Sequence, residues 1–237
     1  MGVEVLYKGR LGNNLFQYIA ARLFAEANGL QLLAGLPAND VVQDIPPKVG
    51  RNVLGSPLRI SDEDDLFEHT WPQARYIFDG YFQRSRWYHE RRAQVLQYVK
   101  LQEIDVVNRR DIVINLRIDT DYRYFKWVIH PSWYLGILAQ ERFDRLHIVV
   151  DALHEDYLVH FRHYEPIIVA SGPKGDWQYL RSFDRIVTAN STFSWWAAYF
   201  SSASRIYTFK RWVTHPAPRL HAFPNGIEVD GRFMHEQ

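Results

Sequence analysis

The sequence predicts an α/β protein with mostly parallel sheets. Short β-rich runs alternate with helical patterns along most of the chain, which is typical of a parallel sheet covered by helices. The 237 residues are enough for one large or two small domains. A polar stretch at residues 105–110 separates an irregular first half from a regularly alternating second half. We therefore expect two Rossmann-like lobes, residues 1–108 and 109–237.

The first lobe opens with a strand, a glycine loop, a helix and a second strand. The strand is expected at residues 3–7, and Leu15, Ile19 and Leu23 recur at helical spacing after the loop. Gly29 is expected to end the helix, before a strand at residues 30–34. This unit is of the doubly wound type, but its loop has neither the Lys-Ser/Thr ending of a P-loop nor the third glycine of a dinucleotide fingerprint.

Residues 37–72 carry little periodicity and are rich in Pro, Gly, Asp and Asn, which is typical of irregular surface segments. A strand within residues 76–83 and a helix extending to Val95 are expected next.

The second lobe alternates more regularly. Strands are expected at residues 112–116, 146–150, 167–169, 186–188 and 205–208, and helices at 131–142, 155–162, 176–181 and from 194 onward. In such sheets ligands bind beyond the carboxyl ends of the strands, so the loops after Tyr7, Leu116 and Thr188 are candidate binding loops.

The composition excludes some partners. With 28 Lys plus Arg and 27 Asp plus Glu the formal charge is +1, so no basic field favours nucleic acid. Cysteine is absent, so there is no disulfide framework and no thiolate metal site. The N-terminus has no signal-peptide pattern and no apolar run could cross a bilayer, so a cytoplasmic protein without a transmembrane segment is expected. Peripheral contact with a membrane and the oligomeric state are left open.

The segment at residues 189–198 combines hydrogen-bonding side chains with a tryptophan pair. Asn190, Ser191 and Thr192 are good N-cap residues after a β-rich run, so the turn presents hydroxyls and unpaired N–H groups at a helix start. Such a site stabilises a phosphate without lysine or metal. The alternative is an ordinary helix cap whose Phe193 and Trp196 fill a core.

Four segments resemble one family. Residues 9–18 (Gly-Arg-Leu-Gly-Asn-Asn-Leu-Phe-Gln-Tyr), 80–83 (Gly-Tyr-Phe-Gln), 190–196 (Asn-Ser-Thr-Phe-Ser-Trp-Trp) and 210–212 (Lys-Arg-Trp) are similar to signature segments of the α-1,2-fucosyltransferases, glycosyltransferase family 11. Their order and approximate spacing agree over almost the whole chain. The resemblance implies a GT-B-like fold, with an acceptor-side first lobe and a nucleotide-sugar-binding second lobe. It also implies GDP-fucose as donor substrate, no further cofactor, and inverting transfer to a galactose 2-hydroxyl without a metal.

The resemblance and the position of the loops together give the candidate site residues. Arg117 is expected to stabilise the departing diphosphate. Asp119 or Asp121 is expected to take the proton of the acceptor hydroxyl. Trp195 and Tyr81 are candidates for stacking on a sugar. The candidate donor-binding residues are Gly9, Gly12, Asn13, Asn14, Asn190, Ser191, Thr192 and Ser194.

Each of these residues also has a structural alternative. Arg117 would also fit a structural salt bridge, and the two aspartates an Asp-containing turn paired with Arg117 or Arg123. Asn13 and Asn14 would serve as helix caps, and Gln17 as an exposed helix residue.

The chain departs from the family at one element. The family's His-x-Arg-Arg-x-Asp is represented by Asn115-Leu116-Arg117-Ile118-Asp119, so the histidine and one arginine are missing. The family's Ser-Asp-Asp is represented by Val150-Asp151-Ala152. These departures leave open a transferase for another nucleotide sugar, or a catalytically inactive sugar- or nucleotide-binding module.

Overall fold

The computed structural model describes residues 2–33, 35–45, 56–62, 64–68, 70–72, 74–211 and 223–236. The chain forms two compact units, residues 1–101 and 102–237. The boundary lies before the break expected after residue 108, because the segment around Asn108 is attached to the second unit. Asn108 pairs with Phe183 in a parallel β-bridge, and its N–H donates to the carbonyl of Ser182 at 2.7 Å.

The first unit contains a four-stranded parallel sheet in the order β2-β1-β5-β4 and an antiparallel pair of β3 and β6. Its elements are β1 (Gly2–Val5), α1 (Leu11–Ala27), β2 (Gln31–Leu32), β3 (Gln43–Asp44), β4 (Leu58–Ile60), β5 (Tyr76–Phe78), α2 (Ser85–Glu90), α3 (Arg92–Val95) and β6 (Val99–Lys100). The expected strand–loop–helix–strand unit is present as β1, α1 and β2. The strands β3, β4 and β6 were not expected from the sequence.

Helix α1 is longer than its apolar pattern indicated. It begins at Leu11, so Gly12, Asn13 and Asn14 lie in its first turn and not in the loop before it. Gly29 follows the helix with a positive φ of 63°, a conformation that glycine adopts without strain, as expected of a residue that ends a helix.

The core of the first unit is aromatic. Phe24 of α1 meets three rings edge-on, those of Trp71, Tyr76 and Phe78, at centroid distances of 5.4, 5.0 and 5.3 Å. Edge-to-face contacts of this kind add to the free energy of burial, so they fix α1 against the sheet.

The second unit is built on a six-stranded sheet that is parallel throughout. Its elements are β7 (Ile112–Leu116), α4 (Thr120–Tyr124), α5 (Pro131–Leu138), β8 (Leu146–Val150), α6 (Glu155–Leu158), a 3₁₀ helix (Val159–Tyr164), β9 (Ile167–Val169), α7 (Gly172–Arg181), β10 (Arg185–Val187), α8 (Thr192–Tyr199), β11 (Arg205–Phe209) and β12 (Gly226–Val229). Strands β7, β8 and β9 have the expected bounds, whereas α4 and β12 were not expected.

The strand order β9-β8-β7-β10-β11-β12 identifies the place where the winding of the sheet reverses. From β7 the chain builds outward through β8 and β9, then returns to the other side of β7 and continues through β10 to β12. Counted from β7 this is the order 3-2-1-4-5-6 of doubly wound Rossmann sheets. The loops after β7 and β10 therefore diverge, and the crevice between them is where such sheets bind ligands.

Two neighbouring interior strands, β7 and β8, show how the sheet is buried. All five residues of β7 and all five of β8 are buried, as expected for a parallel sheet covered on both faces.

Among the described residues, no helix has the length and apolar character needed to cross a membrane.

Candidate functional site

Arg117 directly follows β7 and is held between two carboxylates. Its Nη2 lies 3.0 Å from Oδ2 of Asp119 and its Nε 2.9 Å from Oδ2 of Asp151, the residue that directly follows β8. The Nε–H does not point at that oxygen well enough to form a hydrogen bond. The guanidinium also lies 4.8 Å from the ring centroid of Tyr122. Since its side chain is 18% exposed, Arg117 lies at the surface of the sheet edge.

Asp119 has a local structural role that matches the alternative considered above. Its Oδ1 accepts a hydrogen bond from the N–H of Tyr122 at 3.1 Å and so caps α4, while its Oδ2 accepts from Arg117. Both carboxylate oxygens therefore have partners. Asp121, in the first turn of α4, is exposed.

Asp151 was quoted in the sequence comparison but was not among the candidate site residues. Burial raises the pKa of its carboxyl group, and the nearby charge of Asp119 raises it further. The charge of Arg117 and a hydrogen bond from the N–H of Ile118 to Oδ1, at 2.9 Å, lower this pKa. The net shift is upward, which favours exchange of a proton nearer neutral pH. Its position directly after a strand of the sheet was the signal that could have identified it.

The segment 115–119, compared above with the family's element, places two of its side chains in the core. Ile118 is 1% exposed. Asn115 is also buried, and its Nδ2 donates to the carbonyl of Val149 in the neighbouring strand at 3.2 Å. Neither side chain is therefore available to a ligand.

Asn190, in the loop after β10, is joined to the loop after β7. Its Nδ2 donates to the carbonyl of Trp127 at 3.0 Å, and its own carbonyl accepts from the hydroxyl of Tyr122 at 3.0 Å. Arg117 and Asn190 therefore meet at the crevice through Tyr122. Asn190 is 1% exposed, and its Oδ1 accepts no hydrogen bond from the part of the chain that the structure describes. A buried acceptor without a donor costs about 1–3 kcal/mol, so this oxygen is suited to a ligand hydroxyl or N–H.

Helix α8 begins beside Asn190. Ser191 occupies the N-cap position, but no side chain caps the helix, unlike the expectation for residues 190–192. The hydroxyl of Ser194 donates to the carbonyl of Ser191 at 3.1 Å. The first N–H groups of α8, beginning at Thr192, have no partner within the helix and carry its positive dipole end.

Trp195 is a core residue in place of the exposed sugar platform suggested by the sequence. It is 2% exposed and its ring stacks on Tyr199 at 5.2 Å and packs against Phe223 at 5.2 Å. Trp196 is fully buried as well, so the tryptophan pair holds α8 against the rest of its unit.

The first unit has its own cluster of sequence-predicted residues, at the carboxyl ends of the adjacent strands β1 and β5. Nε2 of Gln83 donates to Oδ1 of Asn13 at 3.1 Å, which joins the segment 80–83 to the start of α1. Gly9 has a φ of 76°, and a Cβ there would overlap the side chain of Asn13. Gln17, for which an exposed helix position was the structural alternative, is fully buried: its side chain accepts from the N–H of Lys8 at 3.0 Å and donates to the carbonyl of Lys8 at 3.3 Å.

Asp62 holds the turn that carries Tyr81. Its carboxylate accepts the N–H of Tyr81 at 2.9 Å and that of Phe82, which has a positive φ of 54°. Gly80 is required for this approach, because a Cβ there would lie 2.9 Å from the backbone nitrogen of Asp62. Tyr81 is 41% exposed, so its ring remains accessible to a ligand. The pattern of residues 37–72 gave no sign that Asp62 would act in this way.

Comparisons of the chain with models of protein families, with curated proteins and with solved structures found no match. Within the described ranges, no group of three or more histidine, cysteine, aspartate or glutamate side chains is arranged to hold a metal ion. The donor-binding and catalytic roles assigned to residues from the sequence stay predictions, and so does the expectation of a mechanism without a metal.

Proposed function

We propose that the chain is a glycosyltransferase that uses a nucleoside diphosphate sugar, and that the crevice between β7 and β10 binds the diphosphate. The observation that carries the proposal is that Arg117 and Asn190 are linked through Tyr122 at the strand ends where the winding of the sheet reverses. The buried Oδ1 of Asn190 accepts no hydrogen bond from the described residues. The donor proposed from the resemblance is GDP-fucose, with a galactoside 2-hydroxyl as acceptor and a GT-B-like arrangement.

The chemistry fits the charges at this edge. In the proposed reaction the acceptor oxygen attacks the anomeric carbon, the bond from that carbon to the β-phosphate oxygen breaks, and GDP leaves with an added negative charge. A guanidinium presents its donors in a fixed planar fork, and the N-terminus of α8 contributes oriented N–H groups; both stabilise that charge in the transition state. The carboxylates beside Arg117 hold it in position before the donor arrives.

The acceptor proton needs a base. Of the two aspartates expected from the sequence, Asp119 already has partners at both oxygens, whereas Asp121 is exposed at the start of α4. Asp151 joins Asp121 as a candidate because the pKa of its carboxyl group is raised. Asp119 is better assigned to positioning Arg117.

The test is replacement of Arg117 by Ala. We expect the variant to lose GDP affinity at least tenfold, about 1.4 kcal/mol, and to lose release of GDP from GDP-fucose in the presence of lactose. GDP affinity is measured by calorimetry and turnover by a coupled GDP assay. The matched control is Arg162→Ala, which removes an exposed guanidinium paired with Glu155 in the same unit and should change neither quantity.

Unchanged GDP binding by a folded Arg117→Ala protein would remove the diphosphate site from this edge. The circular dichroism spectrum and melting temperature establish that the variant is folded. Turnover is expected to continue in EDTA, since the proposed mechanism places leaving-group stabilisation on the protein.

A second candidate is favoured by the loss of the histidine and the second arginine at Asn115 and Ile118. With both side chains buried, the site is compatible with another nucleotide sugar, or with binding without turnover. A panel of nucleotide sugars in a thermal-shift assay separates these cases, because a ligand that binds the native state raises the melting temperature. Binding of a sugar nucleotide without turnover on any acceptor would identify a binding module.

A further inference from the structure

A run of aromatic rings leads from Arg117 to the surface of the second unit. Tyr122, against the guanidinium, meets Trp127 edge-on at 5.7 Å; Trp127 stacks on Phe125 at 4.7 Å, and Phe125 meets Tyr124 at 5.1 Å. Exposure is greatest at the outer end, where Phe125 is 51% and Tyr124 79% exposed. No role in the function proposed above uses these last two rings.

The segment that carries the rings is tied to the candidate site and is conformationally strained. The carbonyl of Trp127 accepts the side-chain amide of Asn190, and the N–H of Trp127 donates to the carbonyl of Tyr122 at 2.9 Å. Lys126, between the exposed rings and Trp127, has a φ of 60°, which costs conformational energy for a residue with a Cβ. Such strain is commonly found where a backbone presents side chains to a ligand.

We propose that Tyr124 and Phe125, here called the aromatic platform, bind a pyranose ring of the acceptor glycan. This inference rests on the proposed function and deepens it by naming where the acceptor lies: on the second unit, and not on the first lobe that the resemblance assigns to the acceptor. The apolar face of a galactose-type ring would cover the aromatic rings, and its hydroxyls would meet the exposed charged groups beside them, those of Asp121 and Lys126. The platform places such a ring at the outer end of the run that begins at Arg117.

The exposure of the platform favours a glycan over the nucleobase of the donor. Small-molecule sites usually enclose most of the surface of their ligand, whereas Tyr124 and Phe125 form an open surface. An open aromatic surface is suited to one ring of a longer glycan, most of which stays in water.

The test compares the kinetics of Tyr124→Ala and Phe125→Ala with those of the unmodified protein, using GDP-fucose and lactose. We expect the KM for lactose to rise about five- to tenfold in each variant, while kcat and the KM for GDP-fucose stay unchanged. Phe125→Trp keeps a flat ring and should retain the lower KM, which simple loss of packing would not explain. The control is Val106→Ala, an exposed apolar position of the same unit, with no expected change.

Two kinetic outcomes overturn the proposal while leaving the proposed function in place. One is an unchanged KM for lactose in both alanine variants. The other is a rise in the KM for GDP-fucose alone, which would assign the platform to the nucleobase.

Direct binding separates the failure of this inference from the failure of the transferase proposal. Saturation-transfer NMR with lactose needs no turnover: the unmodified protein should give signals from the galactose ring, and the Tyr124→Ala, Phe125→Ala double variant should lose them. If no donor is turned over, that loss still supports the platform. Equal signals from both proteins, or none from the unmodified protein, overturn it.

Discussion

At the residue scale, a hydrogen-bonded polar network lies in the second unit away from the candidate site. Asp111 and His147 lie at the amino ends of β7 and β8, on the edge opposite Arg117. Nε2 of His147 is 3.0 Å from Oδ2 of Asp111, and its Nδ1 is 2.7 Å from the hydroxyl of Tyr179. Nδ2 of Asn108 donates to the same Asp111 oxygen at 2.8 Å. These bonds make Asp111 a determinant of stability.

The pH dependence of stability follows from the pKa of Asp111. Burial raises it, but the hydrogen bonds from Asn108, from His147 and from the N–H of Arg145 act in the opposite direction, and the net pKa is lowered. A carboxyl group with a lowered folded-state pKa stabilises the protein fully above its unfolded pKa of about 3.9, and this contribution disappears as the pH falls through the folded value.

We expect Asp111→Asn to lower the free energy of unfolding by about 1–2 kcal/mol at pH 7 and to flatten its fall below about pH 4. Urea unfolding between pH 3 and pH 7 measures both effects, with Asp144→Asn, an exposed carboxylate paired with Arg110, as the control. Parallel stability curves for the Asp111 variant and the unmodified protein would contradict the assignment.

Single residues also show where sequence reasoning stopped. Arg117 and Asn190 could be selected because each follows a recognisable strand. The ion pair of Arg117 with Asp151, the raised pKa of Asp151 and the burial of Gln17 could not be predicted, because they depend on neighbours brought in by another strand or by a loop. Trp195 was assigned to a sugar for its chemistry, whereas its packing against Phe223 is set by tertiary structure.

At the element scale, three strands of the second unit were the easiest to predict. The bounds of β7, β8 and β9 match because short, predominantly apolar runs rich in Ile and Val define them. Helix α4 was missed because Thr120–Tyr124 has no apolar periodicity; its start is fixed by the cap from Asp119. The roughly four-residue repeat of α1 began at Leu15, so its polar first turn was assigned to the preceding loop.

The glycine at the end of β5 gives a test at this scale. We expect Gly80→Ala to destabilise the protein by about 1–3 kcal/mol, because the new Cβ would displace Asp62 from the N–H groups of Tyr81 and Phe82. Gly136→Ala is the matched control: it lies within α5 with open space around its Cα, so alanine should stabilise by about 0.5–1 kcal/mol.

Chemical denaturation with tryptophan fluorescence and far-UV circular dichroism measures both glycine variants. A Gly80→Ala protein as stable as the unmodified chain would mean that the close approach to Asp62 is not required.

At the scale of the whole molecule, the sequence predicted an α/β protein with mostly parallel sheets and a break after residue 108, whereas the structure divides into two compact units after residue 101. The polar residues 105–110 were interpreted as a connection, whereas the bridge of Asn108 with Phe183 attaches this segment to the second unit. That bridge links positions far apart in sequence, so composition alone could not reveal it.

Limited proteolysis tests the boundary. Glu103 is exposed in an irregular stretch just after residue 101, so endoproteinase Glu-C should cut there early and release fragments that begin or end at this residue. Mass spectrometry of a time course identifies the products, and Glu103→Gln should delay their appearance. Early cleavage within either unit, with Glu103 intact, would contradict the division.

The pairing of β7 with β10 has a consequence for how the second unit assembles. It aligns Val113 with Ile186, and β8 and β9, the strands on the other side of β7, lie between these two residues in the sequence. Pairings between such distant positions close a large loop and form slowly. We therefore expect the crevice to be completed late in folding; until β10 arrives, one edge of β7 stays open and exposed to intermolecular strand pairing.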